Sequence, residues 1–296
     1  MNELARRRPL KFRRLLPLVA ILVAIAPGAR GAEDANALLA DARKALAEHD
    51  GGAALDLANK AVAADESNVQ ARAFRAGLLD TMGQLEQSLA DYDKLIELQP
   101  EDANAHQRRG IARFKLGQFK ESVADFDKEL KLRPAGKPYH WQRGIALYYA
   151  GDYKAGREQF ELHKTVNPGD VENAAWHFLC VAKESGVDAA RKALIPVVGD
   201  SRIPMAKIHD LFAGTANDDD VMRAAIVGNP DPDELKDRLF YAHLYVGLYH
   251  EAIGDAAGAK QHIDLAATNY RQNHYMGWVA RVHAKLLEKP APPAKG

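Results

Sequence analysis

Pro100, Pro134 and Pro168 stand 34 residues apart, and the residues between them recur in the same order. Gly83, Gly117 and Gly151 keep that interval, as do Leu85, Phe119 and Tyr153 and then Tyr92, Phe126 and Phe160. A chain that repeats every 34 residues stacks like units, each of which must bury its apolar face on a neighbour.

One unit shows what is stacked. Residues 103–116 hold few helix breakers and predict a helix, with Gly110 as the small residue that lets a second helix approach to roughly 8–10 Å between axes. Gly117 ends it, because a residue without a Cβ turns left-handed at no steric cost. Phe119 opens a second helix on which Val123, Phe126 and Leu130 share a face, with Ser122 at the crossing. Pro134 lacks an N–H and clashes with the previous turn, so the chain must restart. The period therefore predicts an all-α helix-turn-helix solenoid.

These positions resemble the tetratricopeptide repeat (TPR) family. Its small residue, Gly, first aromatic, Ala or Ser, second aromatic and Pro are matched by Ala76, Gly83, Leu85, Ser88, Tyr92 and Pro100. They are matched again by Gly110, Gly117, Phe119, Ser122, Phe126 and Pro134, and by Gly144, Gly151, Tyr153, Gly156, Phe160 and Pro168. Residues 35–68 fit more loosely, as a terminal repeat does, with Glu66 in the Pro slot. The resemblance implies a right-handed superhelix whose first helices line a concave, partner-binding side. The slots it assigns to that side hold Phe74, then Gln107, Arg108, Phe114 and Lys115, then Trp141, Gln142, Tyr148 and Tyr149. Aromatic, Arg and amide groups suit a peptide or protein partner. The family's clamp for C-terminal carboxylates is not reproduced, since Gly77 and Ile111 stand where Asn is needed.

A fifth unit starts near Val171, and the pattern then degrades. Gly186, Pro196, Gly199, Pro204 and Gly214 divide residues 187–236 into short helices, with Asn217 and three aspartates capping one at Val221. The repeats are thus expected over 35–186, and a TPR-like unit with a capping helix over 237–289, followed by a frayed tail at 290–296. Gly247, Gly254, Ala259 and Ile263 keep the family spacing there. The run LFYAHLYVGLY at 239–249 also resembles the NlpI-type family of exported bacterial lipoproteins, although that family's lipid-bearing cysteine is absent. This second resemblance implies a cell-envelope adaptor or scaffold that gathers envelope proteins, compatible with a homodimer.

Residues 1–31 read as a secretory leader: a basic run from Arg6 to Arg14, eleven mostly apolar residues at 15–25, and small residues at Ala29 and Gly31. The apolar run is short of the roughly 20 residues of a bilayer span, so no stable span is expected in the mature form, with an uncleaved anchor as the alternative. The chain is charge-balanced at 40 basic and 40 acidic side chains; the leader takes seven of the former and one of the latter, leaving 33 against 39. An acidic mature chain does not suit nucleic acid.

Chemistry-bearing motifs are absent: no Gly-rich phosphate loop, paired-Cys metal motif or nucleophile elbow is present, and no cofactor is expected. Cys180 lies in an apolar helical run and reads as a small buried hydrophobe, with a Cys180/His177 nucleophilic pair as the sharper alternative. His243, His250, His262, His274 and His283 could supply a metal-dependent enzyme, but the spacing predicts half-polar packing instead. A non-enzymatic scaffold is therefore the expectation. One polar pattern recurs: Arg75, Arg109 and Arg143 share a slot, and acidic pairs flank Tyr92 and Phe126. This predicts arginine bridges that fix stacking register.

Overall fold

The structure is a computed structural model that describes residues 27–288. The expected leader lies outside the described residues apart from its last five, and the expected tail lies outside them entirely. Among the described residues there are fifteen α-helices and no strand. Four helical hairpins come first: α1 (Pro27–Ala47) with α2 (Gly51–Ala64), α3 (Val69–Thr81) with α4 (Leu85–Leu98), α5 (Ala103–Lys115) with α6 (Phe119–Leu132), and α7 (Trp141–Ala150) with α8 (Tyr153–Lys164). A 3₁₀ turn at Pro134–Tyr139 joins α6 to α7. No helix among the described residues is long and apolar enough to cross a membrane.

The repeat chemistry acts as the period requires. Asn68, Asp102 and Asp152 accept hydrogen bonds from the first-turn amides of α3, α5 and α8. Gly117 and Gly151 turn left-handed, with φ of 77° and 83°. At the helix crossings a Cβ on Gly110 would lie 2.7 Å from the Phe126 ring, and one on Gly144 would lie 2.7 Å from Phe160. The Ser88 and Ser122 hydroxyls donate across the same crossings to the carbonyls of Ala76 and Gly110, at 2.9 and 2.8 Å.

The recurrent arginines form the expected bridges, and each reaches in two directions. Arg109 donates to Asp125 on its own hairpin at 2.6 and 2.9 Å and to Asp93 on the preceding one at 2.8 Å. Arg75 likewise reaches Asp91 ahead and Asn59 behind, and Arg143 reaches Gln159 ahead and Asp127 behind. Every one of these partners is 16 residues away, so each guanidinium couples two successive second helices. A bidentate fork holds that geometry where a Lys would not.

After the hairpins comes α9 (Val171–Ser185), buried at ten of the eleven positions 171–181, Glu172 being the exception. Short helices follow as expected: α10 (Val187–Lys192), α11 (Met205–Ala213) and α12 (Asp218–Ile226), the last with an Asn217/Asp220 capping box. They pack on α9 and on the long α13 (Pro232–Ile253). Phe212 of α11 meets Phe178 of α9 at 5.0 Å and Tyr249 of α13 at 5.4 Å between ring centres. With α14 (Ala256–Ala267), α13 rebuilds the TPR crossing, because a Cβ on Gly247 would lie 2.8 Å from Ile263.

The last helix, α15 (Tyr275–Leu287), follows the C-terminal hairpin as the expected cap and does more than close its end. It packs on α14 and also crosses the hollow side to α5. Its face is aromatic and apolar, and so are the first helices it meets, so burying the two together removes both from water.

Candidate functional site

The expected partner-binding set divides on this geometry into residues the chain uses itself and residues it leaves accessible. Tyr275 stacks on Phe114 at 5.1 Å and meets Trp141 edge-on at 5.1 Å. Tyr149 and His283 share a hydrogen bond of 2.9 Å. Lys115 pairs with Asp80 at 2.7 Å and lies over the Trp278 ring at 5.1 Å. Tyr148 is buried against Trp176 of α9. Phe114, Lys115, Tyr148 and Tyr149 are therefore covered by the protein's own side chains. Phe74 packs between the apolar clusters of the first two hairpins, where it joins repeats to each other. Arg108 is exposed, and Gln107, Trp141 and Gln142 are half-buried.

Periodicity could not reveal this cover, because α15 is remote in sequence from the slots it fills. What it leaves open is a cavity of about 600 Å³ near its N-terminal end. Trp141, Tyr139, Trp176, Tyr241 and Tyr275 supply its aromatic wall, and His163, Asp170, Glu172 and Asn173 its polar side. Trp141 is the residue shared between the expected set and this cavity. Tyr139, 64% exposed, was hidden from the repeat reading because it belongs to the 3₁₀ turn between units.

The charges around the cavity are compensated within the protein. Arg202 pairs with Glu172 at 2.6 Å and with Asp170 at 2.8 Å, and Tyr245 donates to Glu172 at 2.7 Å. Burial lifts the Glu172 carboxyl above its usual range, with Arg202 only partly pulling it back. Burial acts the same way on Asp170, but His163 and Arg202 outweigh it and hold that carboxyl low. With its carboxylates already paired, the cavity suits an apolar or aromatic side chain better than a free cation. Three buried atoms of its lining residues, Asn173 Oδ1, Trp176 Nε1 and Tyr275 Oη, have no hydrogen-bond partner among the described residues.

The sharper alternative at Cys180 is not assembled. Its thiol is buried against Gly156, and burial pushes its pKa well up, so the thiolate is suppressed. His177 faces Glu161 at 3.5 Å instead. The C-terminal histidines separate into groups: His274 caps α15 and stacks on Tyr241, His283 joins Tyr149, and His243, His250 and His262 gather between α13 and α14.

Comparison with known proteins agrees with this architecture. The family model described as TPR repeat matches residues 81–117, and one described as alkyl sulfatase dimerisation matches residues 29–94. No curated protein sequence matches. Among solved structures the chain is similar to a tetratricopeptide repeat protein from Parabacteroides merdae ATCC 43184, with a TM-score of 0.58 and 14% identity over 87% of this chain and 100% of that one. It is also similar to MamA, at 0.50 and 18% identity over 54% of this chain and 87% of that one. MamA 41-end from Desulfovibrio magneticus RS-1 gives 0.50 and 15% identity over 54% and 90%. The chain is thus an all-α TPR solenoid.

Proposed function

We propose that this chain is a non-enzymatic protein-interaction scaffold that takes a short segment of a partner protein at the cavity beside α15. The aromatic wall around Trp141 is the observation that carries the reading. Such a site anchors one large apolar or aromatic side chain, and the exposed Arg108 and the half-buried Gln107 and Gln142, on the first helices α5 and α7, can meet the adjoining backbone. The leader-like residues 1–31 support action outside the cytoplasm, in the bacterial cell envelope. The alkyl sulfatase dimerisation match over α1–α4 supports pairing of two copies through the first hairpins.

Panning a random-peptide display library against residues 32–296 tests the binding site. The enriched peptides are expected to carry a shared aromatic or large aliphatic anchor, and to lose at least about tenfold in affinity on Trp141→Ala, the scale of a buried aromatic hot spot. Peptides that bind wild type and Trp141→Ala equally would show that this cavity is not the docking site.

A further inference from the structure

We propose that Asp218, His250 and His262 form a binding site for a first-row divalent metal ion, with zinc the natural occupant. The three come from different elements, α12, α13 and α14, and one ligand atom from each lies within 4.8 Å of the others. Two imidazoles and one carboxylate are the donor set that zinc takes with three protein ligands, leaving a fourth position for water. All three residues are part-buried, so an ion can reach them from solvent.

What distinguishes the group from a chance meeting of polar side chains is the support behind each imidazole. His250 Nδ1 is held by Asp255 at 2.7 Å, which fixes the ring with Nε2 directed at Asp218, also 2.7 Å away. That is the carboxylate–histidine–metal arrangement by which an outer partner sets the tautomer and raises ligand basicity. His262 Nδ1 lies 3.0 Å from His243 Nδ1. One of these nitrogens must donate and the other accept, and when His262 donates, its Nε2 lone pair is left for a ligand. His243 is itself buried and stacked on Tyr270 at 5.1 Å, so it is a rigid acceptor for that proton. The His250 and His262 rings are near-parallel at 5.7 Å between centres.

In the metal-free protein the proton on His250 Nε2 bridges to Asp218. Zinc would replace that proton, and tetrahedral donors at about 2.0–2.1 Å from the ion need Asp218 and His250 to part by roughly half an ångström. Asp218 is the first residue of α12, at a part-exposed helix start where such a shift is small. Binding then fastens the short-helix segment to the C-terminal hairpin, and one proton is released per ion.

Tag-free protein, stripped with chelator and titrated with Co²⁺ and then Zn²⁺, gives a direct test. The expected result is one ion per chain, a visible Co²⁺ d–d absorption band displaced by Zn²⁺, and a rise in Tm with Zn²⁺. His262→Gln and Asp218→Asn, both near the original side chains in size, should abolish the band. Asp255→Asn should keep it with affinity weakened about 10–100-fold, the usual effect of losing an outer-shell partner. His209→Gln, whose ring is instead bonded to the Ile195 carbonyl, should bind as wild type. Absence of the band in wild type, or an unchanged band in His262→Gln or Asp218→Asn, would overturn the proposal.

Discussion

Tyr149 and His283 lie 134 residues apart in sequence and are joined by a hydrogen bond of 2.9 Å. The same imidazole places Nε2 3.0 Å from Glu251 Oε2, at an angle that leaves no straight hydrogen bond. His283 therefore links α15 to α7 on one side and to α13 on the other. Replacing it with Ala strands the Tyr149 hydroxyl and removes the imidazole beside Glu251. We expect a loss of about 2–4 kcal/mol, measured by urea denaturation, because both groups remain shielded from water. An unchanged midpoint would mean that α15 is held by its apolar face alone.

The arginine bridges should differ in strength according to what each leaves behind. Asp125 has a side chain only 3% exposed, and Arg109→Leu removes its bidentate partner while Arg113 remains at 2.8 Å. A loss of about 1–3 kcal/mol is expected. Arg143→Leu strands Asp127, 44% exposed and worth little, and the Oε1 of Gln159, a neutral acceptor in a residue only 2% exposed, so its cost should be about 1 kcal/mol and come from Gln159 rather than from the ion pair. Thermal melts of the two variants test the order, which the reverse ranking would refute.

Two glycines give opposite outcomes on change to Ala. At Gly144 the new methyl would lie 2.7 Å from Phe160, which must shift in a packed crossing, for about 1–3 kcal/mol of destabilisation. At Gly77, within α3, nothing lies within 4 Å, and the gain in helix propensity should stabilise by about 0.5–1 kcal/mol. Calorimetry of the pair would show whether close approach or propensity governs each site.

Acid should loosen the C-terminal helix. Burial alone would raise the Glu251 carboxyl, but His283 and Lys183 outweigh it and bring the pKa from 4.5 to about 2. The unfolded chain then binds a proton between these values that the folded chain does not. The contribution, on the order of 3 kcal/mol at most, is complete above about pH 4.5 and is lost as pH falls towards 2. Glu251→Gln should flatten the stability profile in that window, which pH-dependent denaturation would read out.

The paired helices were legible because their signals are local and repeated. Gly110 with Phe126 and Gly144 with Phe160 stand at one fixed offset, and each tells the chain the same thing. The arginine slot was legible for the same reason. The cover over Phe114 and Tyr149 was not, since Tyr275 and His283 belong to no repeat and their partners are set by how far the superhelix curls. Sequence spacing placed His243 and His250 on one helix face, but Asp218 reaches His250 only through the path of α12, which no period encodes.

The contact of α15 with α5 also changes how the array should come apart. A linear stack melts from its ends, unit by unit, because each unit answers only to its neighbours. Here one apolar cluster runs from Phe114 through α9 to Val282, while the first hairpins are held by small clusters around Leu39, Ala42 and Tyr92, of which the last touches α5 only through Ala105 and Ala112. Everything from α5 onward is tied into a ring and should unfold as a single cooperative block, with α1–α4 free to fray first. Amide hydrogen exchange would then divide the molecule near residue 100, giving slow, uniform protection on one side and graded protection on the other.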